Sequence, residues 1–140
     1  MDPIKQLGAS ILDILTQVRA NGGVVDYSKI ETDEFLKFPE DGFYLHAKNG
    51  AGNVSDCRIY FESIDNYFPA KLSTRGEFSD LSTLEDFVSK LGAPMREIKS
   101  VRIPGAEPTL PGKAFQYGDK KIVAYTADGV SVSYIHIKSS

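Results

Sequence analysis

One cysteine, two histidines and no tryptophan leave this 140-residue chain little of the material from which catalytic and metal sites are usually built. Cys57 alone excludes an intramolecular disulfide and suits a reducing compartment. His46 and His136 stand at no recurrent ligand spacing and have no second thiol beside them, so no zinc site is expected. Long apolar runs are missing too. None approaches the roughly 20 residues that cross a bilayer, and the start, Met1-Asp2-Pro3-Ile4-Lys5, lacks the basic region that opens a secretory signal. Gly50-Ala51-Gly52-Asn53 has no Lys-Ser or Lys-Thr after it, so it reads as a hairpin tip and not as a phosphate cradle. Asp33-Glu34 and Glu40-Asp41 do not fall in EF-hand order. The expectation is a cytoplasmic protein with no metal, no cofactor and no membrane span.

What is present is ordinary in amount and uneven in placement. Forty-one per cent hydrophobic and 25% charged residues are globular values, enough for a single domain over residues 1–140 with a core of its own. The net charge of −3 hides a polarity: residues 1–89 carry 8 Lys and Arg against 15 Asp and Glu, and residues 90–140 carry 8 against 4. Acids are densest from Asp26 to Asp41, where Asp26, Glu31, Asp33, Glu34, Glu40 and Asp41 face only Lys29 and Lys37. Such polarity steers encounter with an oppositely charged partner, unless it is simply a solvated loop. The basic C-terminal third contains Tyr117 and Tyr125, which raises nucleic-acid binding. The overall pI near 5.4 opposes it, and no nucleic-acid partner is expected.

Periodicity supplies the elements. Ile4, Leu7, Ile11, Leu12, Ile14, Leu15 and Val18 make a helical stripe that opens at Asp2-Pro3 and ends at Asn21-Gly22-Gly23, with Gly8 weakening its first turns. Val24 to Pro39 reads as a short helix or an irregular loop. Gly42–Ala47 and Val54–Glu62 read as two strands. Ser82-Thr83-Leu84-Glu85 has the form of a capping box before Leu84, Phe87, Val88 and Leu91, and Gly92 and Pro94 end that helix. Met95–Val101 reads as a strand or an extended connector. A meander of Lys113–Tyr117, Lys120–Thr126 and Val130–Lys138 closes the chain. Two-residue turns at Gly118-Asp119 and Asp128-Gly129 would set Phe115 against Ile122, Ile122 against Ile135 and Tyr125 against Val132. The predicted class is α+β: an antiparallel sheet of about five strands, two helices on one face, in the order α-β-β-α-β-β-β.

Alternation along the strands assigns faces. Phe43, Leu45 and Ala47, with Cys57, Ile59 and Phe61, belong to the core side. Tyr44, His46, Arg58 and Tyr60 then share the open side, a platform suited to a partner. Cys57 and His46 fall on opposite faces, so a thiolate–imidazole pair for nucleophilic catalysis is not expected, and no catalytic residue is assigned.

The stretch Phe61–Ile137 resembles a pattern of small bacterial immunity proteins that neutralise colicin- or pyocin-type and contact-dependent growth-inhibition toxins. The matching features are the strand Arg58-Ile59-Tyr60-Phe61, the connector Phe68-Pro69-Ala70-Lys71-Leu72, a short helix ending Leu91-Gly92-Ala93-Pro94, and Asp128-Gly129 before Val130-Ser131-Val132. The resemblance implies a cytosolic, non-catalytic protein that occludes the active site of a cognate toxin. On that reading the partner surface is Asp26, Glu31, Asp33, Glu34, Glu40 and Asp41 for charge, with Phe35, Phe38 and Tyr44 as anchors. Two other classes stay open: an enzyme or ligand-binding module with a pocket between helices and sheet, and a secretion chaperone or structural subunit that forms a stable homo-oligomer.

Overall fold

In the computed structural model, which describes residues 1–139, eight strands form one antiparallel sheet in the order β1-β2-β3-β4-β8-β7-β6-β5. The strands are β1 Asp26–Ile30, β2 Asp33–Phe38, β3 Phe43–Ala47, β4 Asp56–Tyr60, β5 Arg96–Ile98, β6 Gly112–Tyr117, β7 Lys120–Tyr125 and β8 Tyr134–Ser139. Helices α1 Ile11–Ala20, α2 Leu72–Arg75 and α3 Leu84–Leu91 complete the fold with three short 3-10 turns. The α+β class and the antiparallel sheet are as predicted; the count of five strands and two helices is corrected to eight and three. Each half of the chain runs from a helix into a four-stranded meander, and the halves meet where β4 pairs with β8.

The missed strands have a physical reason. In β2, Glu34, Leu36 and Phe38 point inward while Asp33, Phe35 and Lys37 point outward, so each face mixes charged and apolar residues and the period of two is masked. The segment read as a loop or short helix is therefore the hairpin β1–β2, turned at Glu31, whose φ of 57° lies in the left-handed region. Arg96–Ile98, read as a strand or connector, is the edge strand β5.

The first helix starts later than its stripe suggests. Asp2 does cap, but it caps a 3-10 turn, accepting from Ile4 N at 3.1 Å. Gly8 then takes φ +88° and gives its N–H to Val54 O at 2.8 Å, while Val54 N returns a bond to Ala9 O at 2.8 Å. That backbone pairing with the β3–β4 loop removes residues 8 and 9 from any helix, and Ser10 caps α1 instead. In α3 the capping box lies one residue past the predicted one. Thr83 Oγ1 accepts from Asp86 N at 3.1 Å and Asp86 Oδ2 accepts from Thr83 N at 3.1 Å, because Leu84 N is already bonded to Val130 O at 2.9 Å. Thr83→Ala should cost about 1 kcal/mol, read as a lower urea midpoint at unchanged slope, whereas Ser82→Ala should cost less.

The C-terminal register also moves. Phe115 opposes Ile122 as expected, but Ile122 opposes Ile137 and Tyr125 opposes Tyr134. Asp128 Oδ1 accepts from Val130 N and Ser131 N, both at 2.8 Å, so the turn widens and Val130–Val132 leaves the ladder to bond the start of α3. The slip is two residues, and every side chain keeps its face.

The inward apolar side chains of β2–β4 and β6–β8 join one core with Ile11, Ile14 and Leu15 of α1 and Leu84 and Phe87 of α3. The helices thus cover one face of the sheet. Among the described residues no helix lies on the opposite face.

Candidate functional site

Three side-chain rows cross the uncovered face, each set by strand pairing. One runs Ser28, Phe35, His46, Asp56, Lys138. The next runs Asp26, Lys37, Tyr44, Arg58, His136. The third sets Tyr60 beside Tyr134 and Tyr134 beside Tyr125. Arg58 therefore sits on one of the two central strands, far from either sheet edge.

Aromatic rings enclose that arginine. Its guanidinium lies 4.3 Å from the Tyr134 ring centroid, 5.6 Å from Tyr44 and 5.8 Å from Tyr125, each close enough for a cation–π attraction of about 0.5–2 kcal/mol. Tyr67, on the connector after β4, stacks on Tyr60 at 4.2 Å and 11°. Burial pushes the Tyr44, Tyr60, Tyr67 and Tyr134 phenols upward, so all four stay protonated at neutral pH and can donate.

A polar chain runs beside the rings. His46 Nδ1 donates to Asp56 Oδ1 at 2.7 Å, and His136 Nε2 lies 3.6 Å from Asp56 Oδ2. Arg58 Nε donates to His136 Nδ1 at 3.3 Å, which assigns the His136 proton to Nε2. Burial alone would raise the Asp56 carboxyl; the bonds and fields of His136 and then His46 outweigh it and hold it below the ordinary carboxylate range. Phe35 stacks flat on His46 at 4.4 Å and 6°.

His46 Nε2 is buried without a hydrogen-bond partner, 3.6 Å from Asp33 Oδ2. Ser28 Oγ is also buried and unpartnered, but Phe35 stands between Ser28 and His46 in the row, a separation of two strand spacings or about 10 Å. Cys57 is fully buried on the core face, as its parity predicted, and burial drives its thiol upward. Among the described residues no group of three His, Cys, Asp or Glu side chains is placed to hold a metal ion.

The nine residues expected at a partner surface divide. Asp26, Asp33, Phe35 and Tyr44 lie on the uncovered face, and Glu31 is exposed at the β1–β2 tip. Phe38 is instead a core residue, stacked on Phe43 at 4.4 Å. Glu34 is buried on the core side and accepts from the Tyr27 hydroxyl at 2.7 Å. Glu40 and Asp41 form a 3-10 turn and line, with Asp26 and Val24, a hollow of about 320 Å³ at the start of β1, not between helices and sheet. The open-face grouping of Tyr44, His46, Arg58 and Tyr60 was legible from alternation. Asp56, Tyr67, Tyr125, Tyr134 and His136 were not, although alternation along β8 would have placed Tyr134 and His136 together had its neighbour been known.

Fold and site define a class: an α+β domain with one open antiparallel sheet, helices on one face and an aromatic–arginine array on the other. No protein-family model matches the chain, and no curated protein matches it. Among solved structures it is similar to a DUF4309 family protein, YjgB, from Bacillus subtilis subsp. subtilis str. 168, at 9% identity and a TM-score of 0.43. The match covers 83% of this chain, which spans 64% of that protein's length. No helix among the described residues is long and apolar enough to cross a membrane.

Proposed function

We propose that this chain is a non-catalytic binding domain that neutralises a cognate bacterial toxin, meeting it with the uncovered sheet face and the adjoining β1–β2 edge. The observation that carries the binding role is the face itself. Phe35, Tyr44, Tyr125 and Arg58 lie half-exposed on a rigid sheet, and aromatic and arginine side chains are the commonest hot-spot residues. Asp26, Glu31 and Asp33 border it at the β1–β2 hairpin and supply a field that steers a cationic partner. The toxin as partner rests on the resemblance of Arg58–Phe61, Phe68–Leu72, Leu91–Pro94 and Asp128–Val132 to immunity proteins.

Co-expression with a toxin encoded beside this chain should restore growth. The triple reversal Asp26→Lys, Glu31→Lys and Asp33→Lys should slow association by about tenfold or more and flatten its salt dependence. Killing that proceeds equally with and without the wild-type chain would remove the toxin reading. Association unchanged by the reversal would remove the hairpin from the interface. A small-ligand reading has one observation in its favour, the 320 Å³ hollow beside Val24. A metabolite that raises the Tm of the wild type and not of Val24→Trp would favour it.

A further inference from the structure

The Arg58 guanidinium has no carboxylate within ion-pair distance among the described residues, although it is half-buried at the centre of the open face. A cation withdrawn from water is ordinarily paired. Here the nearest acid along the strand, Asp56, is committed to His46 and His136. Tyrosine faces compensate Arg58 in part, and only its Nε–H is bound to an imidazole. The Tyr60 phenol also lies near enough to favour the charged guanidinium. Further N–H groups of a five-donor fork are left for something else.

We infer that Arg58 is a receptor for a carboxylate, an Asp, Glu or C-terminal carboxyl of the bound partner, held by the guanidinium with Tyr44 and Tyr134 as its walls. The inference rests on the reading that this face meets a partner, and it adds the chemistry of the central contact. A planar fork matches a planar carboxylate through two parallel N–H···O bonds. A phosphate dianion fits less well. It would meet one arginine where phosphate sites gather several donors, with the negative Asp56 two residues away on the same strand face, about 7 Å. The rings of Tyr44 and Tyr134 beside the guanidinium favour an acid carried next to an apolar or aromatic group.

The test needs no toxin. Sodium benzoate, sodium acetate and inorganic phosphate are titrated separately into the whole protein, and the Arg58 Nε–Hε and tyrosine ring resonances are followed by NMR. Benzoate should shift Arg58, Tyr44 and Tyr134 saturably and more strongly than acetate, and phosphate should not. Arg58→Gln should weaken that response at least tenfold. Arg58→Lys, which keeps the charge and loses the fork, should weaken it too, and it carries the test alone if the glutamine variant does not fold. Shifts confined to Lys99 and Arg102, two exposed cations in the segment between β5 and β6, a stronger response to phosphate than to benzoate, or an undiminished response in Arg58→Lys would each overturn the inference. Toxin neutralisation intact alongside such a result would leave the binding role standing without this contact. Loss of neutralisation with benzoate still bound at Arg58 would do the reverse.

Discussion

Gly42→Ala should destabilise the domain by about 3 kcal/mol or more, lowering Tm by roughly 10 °C. Gly42 has φ +74°, and a Cβ there would stand 2.3 Å from Phe68 O and 2.5 Å from Ala70 N. Both neighbours are backbone and are tied down. Phe68 N donates to Pro39 O at 2.9 Å and Ala70 N to Tyr60 O at 2.8 Å, while Tyr60 N donates to Gly42 O at 2.8 Å. The clash can be relieved only by lifting the connector after β4, which carries Tyr67 on its stack with Tyr60. Urea unfolding reads the stability loss, and Tyr60 ring shifts read the displacement of Tyr67. Gly118→Ala is the control. It also has positive φ, +61°, but nothing within 4 Å of a Cβ, so it should cost only the backbone strain of about 1–2 kcal/mol. Equal losses in the two variants would show that the connector is not seated on Gly42 as described.

Asp56→Ala should cost about 2–3 kcal/mol at neutral pH, because it removes a charge-assisted bond and leaves the half-buried His46 Nδ1–H without its acceptor. The pH dependence follows from the direction of the Asp56 shift. Its carboxyl is held below the ordinary range in the folded chain, so its contribution is complete above the unfolded value of about 3.9 and is lost as pH falls through the lower folded value. The stability gap between wild type and variant should therefore stand at pH 5 and close below pH 4. Denaturant unfolding across that range measures it. A gap that stays open at pH 3 would mean that shape, not charge, is what Asp56 contributes.

The two halves of the sheet were unequally legible. Strands β3 and β4 alternate cleanly, and their inward residues Leu45, Cys57 and Ile59 are fully buried as expected. Hairpin β1–β2 was hidden because Glu34 points into the domain and Phe35 out of it, each stabilised by a contact that no local pattern displays: Tyr27 for one and His46 for the other. The same inversion explains the partner residues that moved. Phe38 had the sequence character of an exposed anchor among acids, and the pairing of β2 with β3 turned it into the core against Phe43.

By itself the sequence determined the α+β class, the separation of Cys57 from His46, and the side of the sheet that bears Tyr44, Arg58 and Tyr60. Those are consequences of alternation, which is local and needs no knowledge of neighbours. Only the tertiary structure decided that β8 lies against β4, bringing His136 to Arg58 from 78 residues away and closing the tyrosines around it. Pairing between strands distant in the chain is selected by the summed packing of the whole core, and no short window of residues contains that sum.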